Sequence, residues 1–208
     1  MTELQTRLLR AMWTLAAVCA VLVAAGLVGL DKAVANWVAT LPGKGGVLHD
    51  GVALLDLATL KNNSTFLLGP ILLMVAVALL VLRSTRPMGW TMLYIGSVQF
   101  VSTVVADLAK PQFGRFRPSE ALADPGGADL WFVGGNSFPS GHTAFYAGLF
   151  FPLMLVFPRW WPLFTIVPLF VAAQRIVSND HYLSDVGASF TLAALTTVAL
   201  AAILRKAQ

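Results

Sequence analysis

The stretch that decides the fold is Ala11–Leu30, which reads AMWTLAAVCAVLVAAGLVGL and contains no charged side chain. An α-helix rises about 1.5 Å per residue, so twenty residues of this kind cover the roughly 30 Å of hydrocarbon in a bilayer. The run therefore predicts a membrane-crossing helix.

The composition of the whole chain agrees with a membrane protein. Of its 208 residues, 57% are hydrophobic and only 12% are charged, about half the charged share of a soluble domain, and the mean hydropathy is +0.75. A water-soluble fold of this size could not bury so much apolar surface. These values exclude a soluble enzyme, a disordered chain and a disulfide-stapled secreted module. The single cysteine, Cys19, cannot form an internal disulfide.

Five further apolar segments follow the first. The six predicted spans cover about 11–30, 65–82, 88–109, 142–157, 160–177 and 182–204. The third span is the most polar, so we expect it to face the bundle interior; its polar residues are Ser97, Gln99, Ser102 and Thr103. The predicted fold class is an all-α integral membrane protein, a six-helix transmembrane bundle that forms one domain over residues 1–208.

The first segment has a second interpretation, because a cleaved secretory signal would also begin with basic residues and an apolar run. Ala33-Val34-Ala35 resembles a cleavage site. However, the apolar region of a signal is only about 7–15 residues long, so we expect this segment to be retained as a span.

The basic residues predict the orientation. With a cytoplasmic N-terminus, the short inner segments hold seven basic residues, against Glu3 as the one acid. These are Arg7, Arg10, Arg83, Arg86, Arg159, Arg205 and Lys206. Such residues mark the cytoplasmic side, so both termini are predicted to be cytoplasmic. The long loops 31–64 and 110–141 then lie outside, where we expect short interfacial helices.

Unusual polar residues gather at the outer ends of four spans. They are Lys110, Arg115, Arg117, His142, Arg175, His181 and Asp185. Each alone has a simple explanation, since Lys and Arg anchor membrane interfaces and Asp suits a helix N-terminus. Ionisable groups at membrane depth are nevertheless costly. Because all seven fall on one face, we expect a functional site there.

Several cations without paired carboxylates favour an anionic substrate, and phosphate is the natural candidate. In Pro139-Ser140-Gly141-His142 a turn precedes a helix, so Ser140 can cap the helix while free N–H groups bind a phosphate oxygen. His181 and Asp185 share one helical face; the carboxylate can hold one ring nitrogen protonated while the other acts as nucleophile or base. His142 remains as a proton donor to the leaving group, and this set suffices for hydrolysis through a phosphohistidine.

Three motifs follow one another along the chain. They are Lys110-x6-Arg117-Pro118, Pro139-Ser140-Gly141-His142 and Arg175-x5-His181-x3-Asp185. Together they resemble the signature of the type 2 phosphatidic acid phosphatase family, integral-membrane lipid phosphatases related to vanadium haloperoxidases. The family commonly has Ser immediately before the Arg of the third motif, where this sequence has Gln174.

The resemblance implies a role for each matching residue. The residues implied to bind phosphate are Lys110, Arg117, Ser140, Gly141 and Arg175. His142 is implied to be the general acid and His181 the nucleophile, oriented by Asp185, with no metal or other cofactor. Arg115 and Asp180 lie outside the motifs, where they are expected to tune substrate choice or to be solvated.

Other functions fit the residues less well. A zinc site from the three histidines lacks HExxH and a cysteine pair, and residues 135–139, GNSFP, fail the GxSxG pattern of serine hydrolases. A non-enzymatic anion or lipid transporter would need polar residues through the bilayer rather than at one face. A lipid-to-lipid phosphotransferase stays open, because it would use the same phosphohistidine.

The expected partners are a phosphorylated membrane lipid and the bilayer, with no nucleic acid. Four lipids remain open because the motifs recognise only phosphate: a polyprenyl (undecaprenyl) diphosphate, phosphatidylglycerol phosphate, phosphatidic acid and a lipid A phosphate. Selectivity is expected from outer-loop residues such as Trp131, Phe132 and Phe138. The expected location is a bacterial inner membrane, with the site at the periplasmic or extracellular face.

Overall fold

The computed structural model describes residues 2–42, 46–62, 64–124 and 130–206, and within these ranges it contains helices and loops but no strand. The α-helices are α1 (Glu3–Ala25), α2 (Asp31–Ala39), α3 (Gly46–Ala58), α4 (Leu68–Val81), α5 (Arg86–Phe113), α6 (Pro118–Ala123), α7 (Gly141–Val156), α8 (Trp161–Val177) and α9 (Leu183–Lys206). A π-helical turn, Gly26–Leu30, joins α1 to α2, and a 3₁₀ turn, Pro158–Trp160, precedes α8. The all-α prediction is confirmed for these residues.

Each predicted span coincides with a helix. Within the described ranges, four helical segments are long and apolar enough to cross a membrane; they are Glu3–Ala39, Arg86–Ala123, Pro158–Val177 and Leu183–Ala202. The apolar helices α4 and α7 are shorter, with 14 and 16 residues, which corresponds to about 21 and 24 Å. α1 begins well before the predicted boundary because Thr2 and Gln5 form a capping box at its start.

α7 holds the central position in the bundle. It packs against α5, α8 and α9, whereas α1 packs mainly on α9 and α4 on α5. Phe151 of α7 shares an apolar cluster with Met12 of α1 and Phe190 of α9. Closer to the start of α7, Tyr146 packs with Val52 of α3 and Val171 of α8. Contacts on several sides therefore fix the first turn of α7.

The polar face of α5 points into this bundle, as the sequence predicted. Gln99, Ser102 and Thr103 are buried, and Gln99 Nε2 donates a hydrogen bond to Thr103 Oγ1 at 3.0 Å. Ser97 is only partly buried. In contrast, Val21 of α1 and Ile166 of α8 are more than half exposed. This apolar exterior is suited to hydrocarbon rather than water.

α5 and α7 approach closely at Gly148, and this contact gives a prediction about stability. A Cβ at Gly148 would lie 2.9 Å from Ser102 Cβ and 3.2 Å from the Gln99 Cα. Gly148→Ala is therefore expected to destabilise the fold by about 1–3 kcal/mol through overpacking, seen as a lower thermal midpoint in detergent. Adding Ser102→Gly should recover part of the loss. Additive destabilisation by the two changes would contradict the contact.

The joint between α1 and α2 brings a carboxylate to the start of α9. Gly29 has φ 150°, a conformation that residues with a side chain rarely adopt. The chain then enters α2 at Asp31, which is buried. Asp31 Oδ1 accepts a hydrogen bond from the Ser184 N–H at 2.9 Å. The start of α2 is therefore hydrogen-bonded to the start of α9, within the third motif.

Candidate active site

The first turn of α7 forms the floor of the site. Ser140 is the N-cap, as predicted, and its Oγ accepts hydrogen bonds from Thr143 N at 3.5 Å and Thr143 Oγ1 at 3.0 Å. The Ser140 N–H donates to the backbone oxygen of Asp185 at 3.1 Å, which locks α7 to α9. Gly141 and His142 follow in the first turn, where N–H groups have no intrahelical acceptor and attract anions.

A cavity of about 170 Å³ lies above this turn. Six predicted site residues line it: Lys110, Arg117, Gly141, His142, Arg175 and His181. The other two, Ser140 and Asp185, are buried and are absent from the lining. Four residues that the sequence did not assign to a site also line it: Lys61, Thr65, Thr103 and Asp107. The cavity therefore joins residues from all three motifs.

Lys110 reaches the cavity from the last turn of α5. Its Nζ lies 3.0 Å from the position that a Cβ on Gly141 would occupy, so a side chain there would displace the ammonium group. Asp107, one turn earlier, lies 3.8 Å from Lys110 Nζ. Lys110 is thus held beside the free N–H groups of α7.

Arg117 and Arg175 are held by one carboxylate, Asp180. Arg175 NH2 donates to Asp180 Oδ2, and Arg117 NH1 lies 3.6 Å from Asp180 Oδ1. Burial acts to raise the pKa of Asp180, but the hydrogen bond from Ser178 and the two arginines lower it overall. Asp180 is therefore not a fully solvated residue: it is a partly buried anion that pairs with two phosphate-binding candidates.

Lys61 is a fourth cation at the cavity, supplied by the loop after α3. Burial lowers the pKa of Lys61 to about 8; Asp56 opposes this effect, and Lys110 and Arg175 add to it. A loop lysine gave no sequence signal of its own. Its position shows that the segment between α3 and α4 contributes to the site.

His181 lies at the wall of the cavity and is almost completely buried. Its Nδ1 is 3.4 Å from Asp185 Oδ2, which leaves Nε2 as the nitrogen opposite the carboxylate. Burial lowers the pKa of His181, and Asp185 opposes this effect. The predicted pair is therefore brought together, with a neutral imidazole at neutral pH.

Asp185 is held by donors that the sequence did not predict. Its Oδ2 accepts from Ser137 Oγ at 2.6 Å and from the Tyr182 N–H at 2.8 Å, and its Oδ1 accepts from Arg115 NH1 at 2.7 Å. The expectation that Arg115 is solvated is wrong. It is completely buried and also donates to Asp31 Oδ2 at 2.8 Å.

His142 sits between a carboxylate and a guanidinium group. Its Nε2 is 3.1 Å from Asp56 Oδ2 on α3, and its Nδ1 is 3.3 Å from Arg175 NH1 on α8. Asp56 was missed by the sequence reasoning. The signal available was an acidic residue inside the apolar stretch Val52–Leu60, which is unusual unless the carboxylate has a partner.

An aromatic cluster forms between the end of α5 and the segment that precedes α7. Phe113 packs edge-on against Trp131 and Phe138, with ring centroids 6.0 and 4.9 Å apart, and the Arg115 guanidinium lies 4.5 Å from the Trp131 ring. Phe132 is mostly exposed. Gln174, at the position that is commonly Ser, is buried and is not a lining residue.

The acidic and histidine side chains are arranged as pairs rather than as a metal cage. No group of three or more His, Cys, Asp or Glu side chains in the described part of the chain is placed to hold a metal ion. Cationic side chains fill the positions around the cavity instead.

Comparisons with known proteins place this geometry in context. A family model described as the PAP2 superfamily matches residues 88–208, more than half of the chain. The chain is 31% identical over 101 residues to a lipid A 1-phosphatase of Rhizobium etli, a match covering 47% of this chain and 43% of the relative. It is 30% identical over 109 residues to a lipid A 1-phosphatase of Rhizobium johnstonii, covering 50% and 44%. The chain thus matches less than half the length of each relative.

A solved structure shares the fold over nearly the whole chain. It is the crystal structure of a transmembrane PAP2-type phosphatidylglycerolphosphate phosphatase from Bacillus subtilis, with a TM-score of 0.60. The superposition covers 95% of this chain and 97% of the other at 20% identity. A similarity at this identity concerns the fold alone.

Proposed function

The chain belongs to the PAP2 superfamily and is an integral membrane protein, and on this premise we propose that it is a metal-independent phosphatase of a membrane lipid. The observation that carries the proposal is the cavity itself. It brings Lys110, Arg117 and Arg175 together with His142 and His181 at a helix N-terminus. Cations and free N–H groups bind a phosphate, and two histidines supply a nucleophile and a proton donor.

In the proposed reaction, Lys110, Arg117 and Arg175 bind the non-bridging phosphate oxygens, helped by the Gly141 N–H. Ser140 shapes this turn as its cap. Nε2 of His181 attacks phosphorus, an N–P bond forms, and the bond to the lipid oxygen breaks. His142 gives its proton to that oxygen as the lipid leaves.

Water completes the turnover. It attacks the phosphohistidine while the neutral His142 accepts its proton, so inorganic phosphate is released and both rings return to their starting states. Asp185 stabilises the positive charge on His181 while the N–P bond exists, and this is the role its buried, fully hydrogen-bonded position supports.

The proposed membrane arrangement has six spans, α1, α4, α5, α7, α8 and α9, in a single domain over residues 1–208. Both termini are cytoplasmic, α2, α3 and α6 lie at the outer interface, and the site faces the periplasm or cell exterior of a bacterial inner membrane. Supporting this, the end of α5, the start of α7, the end of α8 and the start of α9 meet at the cavity.

The experiment that would identify the lipid substrate is a phosphate-release panel on purified protein in detergent micelles. The panel holds a lipid A phosphate, phosphatidylglycerol phosphate, phosphatidic acid and undecaprenyl diphosphate. The first two correspond to the printed names of a sequence relative and of the solved structure that shares the fold. Free phosphate identifies a hydrolase, whereas phosphate found on a second lipid identifies the phosphotransferase. Trp131, Phe132 and Phe138 are the proposed determinants of preference among lipids.

The mechanism also predicts how metal removal and vanadate act. Phosphate release is expected to stay within about twofold of the untreated rate in EDTA, because His181 rather than a metal-bound water attacks phosphorus. Vanadate should inhibit competitively, since it fits an anion site and mimics five-coordinate phosphorus. Activity abolished by EDTA and restored by a divalent metal would contradict the mechanism.

A further inference from the structure

The hydrogen bonds of His142 determine which of its ring nitrogens carries the proton. A guanidinium group can only donate hydrogen bonds, so Arg175 NH1, at 3.3 Å, requires Nδ1 to be an acceptor. Nε2 then carries the hydrogen and donates it to Asp56 Oδ2 at 3.1 Å. The ring is therefore neutral: Nε2 carries the hydrogen and donates it to Asp56, and Nδ1 accepts from Arg175.

Asp56 is held in a fixed position by α7. Its Oδ1 accepts a hydrogen bond from the Tyr146 hydroxyl at 2.7 Å, one helical turn after His142. Burial acts to raise the pKa of Asp56, but the hydrogen bonds from His142 and Tyr146 and the charge of Lys61 lower it overall. Asp56 is thus an ionised, nearly buried carboxylate whose two oxygens both face residues of the active-site helix.

We propose that Asp56 is a positioning residue that holds the Nε2–H of His142, so that the proton for the leaving group comes from Nδ1. The inference rests on the proposed phosphatase function and deepens it. It gives the site two carboxylate–histidine pairs with opposite tasks. Asp185 supports a histidine that attacks phosphorus, and Asp56 supports a histidine that protonates the departing oxygen.

The proton balance follows from the charges around His142. Arg175 NH1 lies 3.3 Å from Nδ1, and Lys61 and Lys110 also line the cavity, so positive charges face this side of the site from α8, the loop after α3 and α5. The carboxylate that faces the ring is Asp56. When the phosphate binds, it draws Arg175 from Nδ1 and neutralises the three cations. Nδ1 then takes up a proton from water, and Asp56 stabilises the resulting imidazolium.

The chemical step uses that proton once. As the His181 N–P bond forms, the P–O bond to the lipid breaks and its electron pair stays on oxygen. The oxygen takes the Nδ1 proton, so the lipid leaves as an alcohol and His142 returns to its neutral form. Throughout the step, Nε2 keeps its hydrogen and its hydrogen bond to Asp56. This hydrogen bond holds the ring plane and the donor atom Nδ1 in place.

The opposing explanation is that Asp56 only ties α3 to α7. Such a role would affect every substrate equally, whereas support of a proton donor matters most when the leaving group is poor. The leaving group of dodecyl phosphate is an alkoxide, which needs the proton. The leaving group of p-nitrophenyl phosphate is a stable phenolate, which does not. General acid catalysis is worth about 10²–10⁴-fold in rate.

The test is Asp56→Asn, which keeps the shape and removes the charge. On dodecyl phosphate, kcat/KM is expected to fall about 10²-fold, and the alkaline limb of the kcat profile should move to lower pH because the imidazolium loses its anion. On p-nitrophenyl phosphate the loss should stay below about tenfold. Asp50→Asn, an exposed position on the same helix, is the matched control and should match wild type on both esters.

Asp56→Glu keeps the carboxylate and should recover part of the dodecyl phosphate rate and the wild-type pH limb; it also serves if the Asn variant does not fold. Equal losses on the two esters, or an unchanged rate on dodecyl phosphate, would overturn the proposal. A wild-type protein that hydrolyses neither ester nor any lipid phosphate would instead contradict the proposed function. The two failures are therefore distinguishable.

Discussion

His181→Ala is expected to lower phosphate release by about 10⁴-fold or more, the largest effect on activity in the chain. No other side chain can replace a nucleophile that forms a covalent bond to phosphorus. His181 is positioned for the role: it lines the cavity, its Nδ1 faces Asp185 at 3.4 Å, and burial keeps its pKa low. The ring is therefore neutral and nucleophilic at neutral pH.

The measurement compares initial rates of the purified variant and wild type on the best lipid of the panel. The control is His49→Ala, since His49 is an exposed histidine on α3 and its removal should leave the rate unchanged. In wild type, rapid acid-free quenching with a ³²P-labelled substrate should trap a phosphoenzyme that the His181→Ala protein lacks. A variant that folds and hydrolyses at near the wild-type rate would show that another group attacks phosphorus.

In the proposed mechanism, His181 is also expected to set the acidic limb of the activity profile. The buried ring has a lowered pKa, so its neutral, nucleophilic form persists below the pH at which an exposed histidine becomes protonated, near 6.5. Turnover is lost only as the pH falls through that lowered value. In the same mechanism the alkaline limb belongs to His142, which must be protonated to donate to the leaving group. The two histidines are therefore expected to limit the active pH range from opposite sides.

The sequence could predict the motif residues because their positions follow from helix ends. Lys110 lies in the last turn of α5, His142 in the first turn of α7 and Arg175 in the last turn of α8. The apolar runs that locate the helices therefore also place these side chains at one end of the bundle. The prediction that His181 and Asp185 share one helical face is wrong, because α9 begins at Leu183 and His181 precedes it. The two residues still meet, because they are only four positions apart and the Tyr182 N–H between them donates to Asp185 Oδ2.

Asp56 and Arg115 could not be predicted, because their roles depend on how distant segments meet. Asp56 reaches His142 across 86 positions of the chain, and Arg115 reaches Asp31 across 84. The second contact needs the turn at Gly29, which carries Asp31 to the start of α9. Without the three-dimensional course of the chain, Arg115 cannot be distinguished from a solvated loop arginine. Asp56, in a short apolar stretch, cannot be distinguished from a surface residue.

The buried ion group around Arg115 is expected to give the largest stability effect. Arg115 donates to Asp31, Asp185 and the Ser184 hydroxyl, and its guanidinium lies 3.9 Å from the Tyr182 ring centroid. Arg115→Met should cost about 3–5 kcal/mol, because it leaves two buried carboxylates without their cation. The thermal midpoint in detergent reports this loss, and Arg83→Met, an exposed position, should leave it unchanged.

A second substitution separates the charge from the packing. In Arg115→Met with Asp31→Asn, one of the two uncompensated charges is gone, so the midpoint should rise above that of Arg115→Met alone. Activity should nevertheless stay low, because Asp185 still lacks the donor to its Oδ1 and holds His181 less firmly. Arg115→Lys keeps a charge but not the planar fork that serves both carboxylates, so it should fall between wild type and Arg115→Met. If Asp31→Asn lowers the midpoint further in the Arg115→Met protein, electrostatic repulsion between the two carboxylates is not what destabilises it.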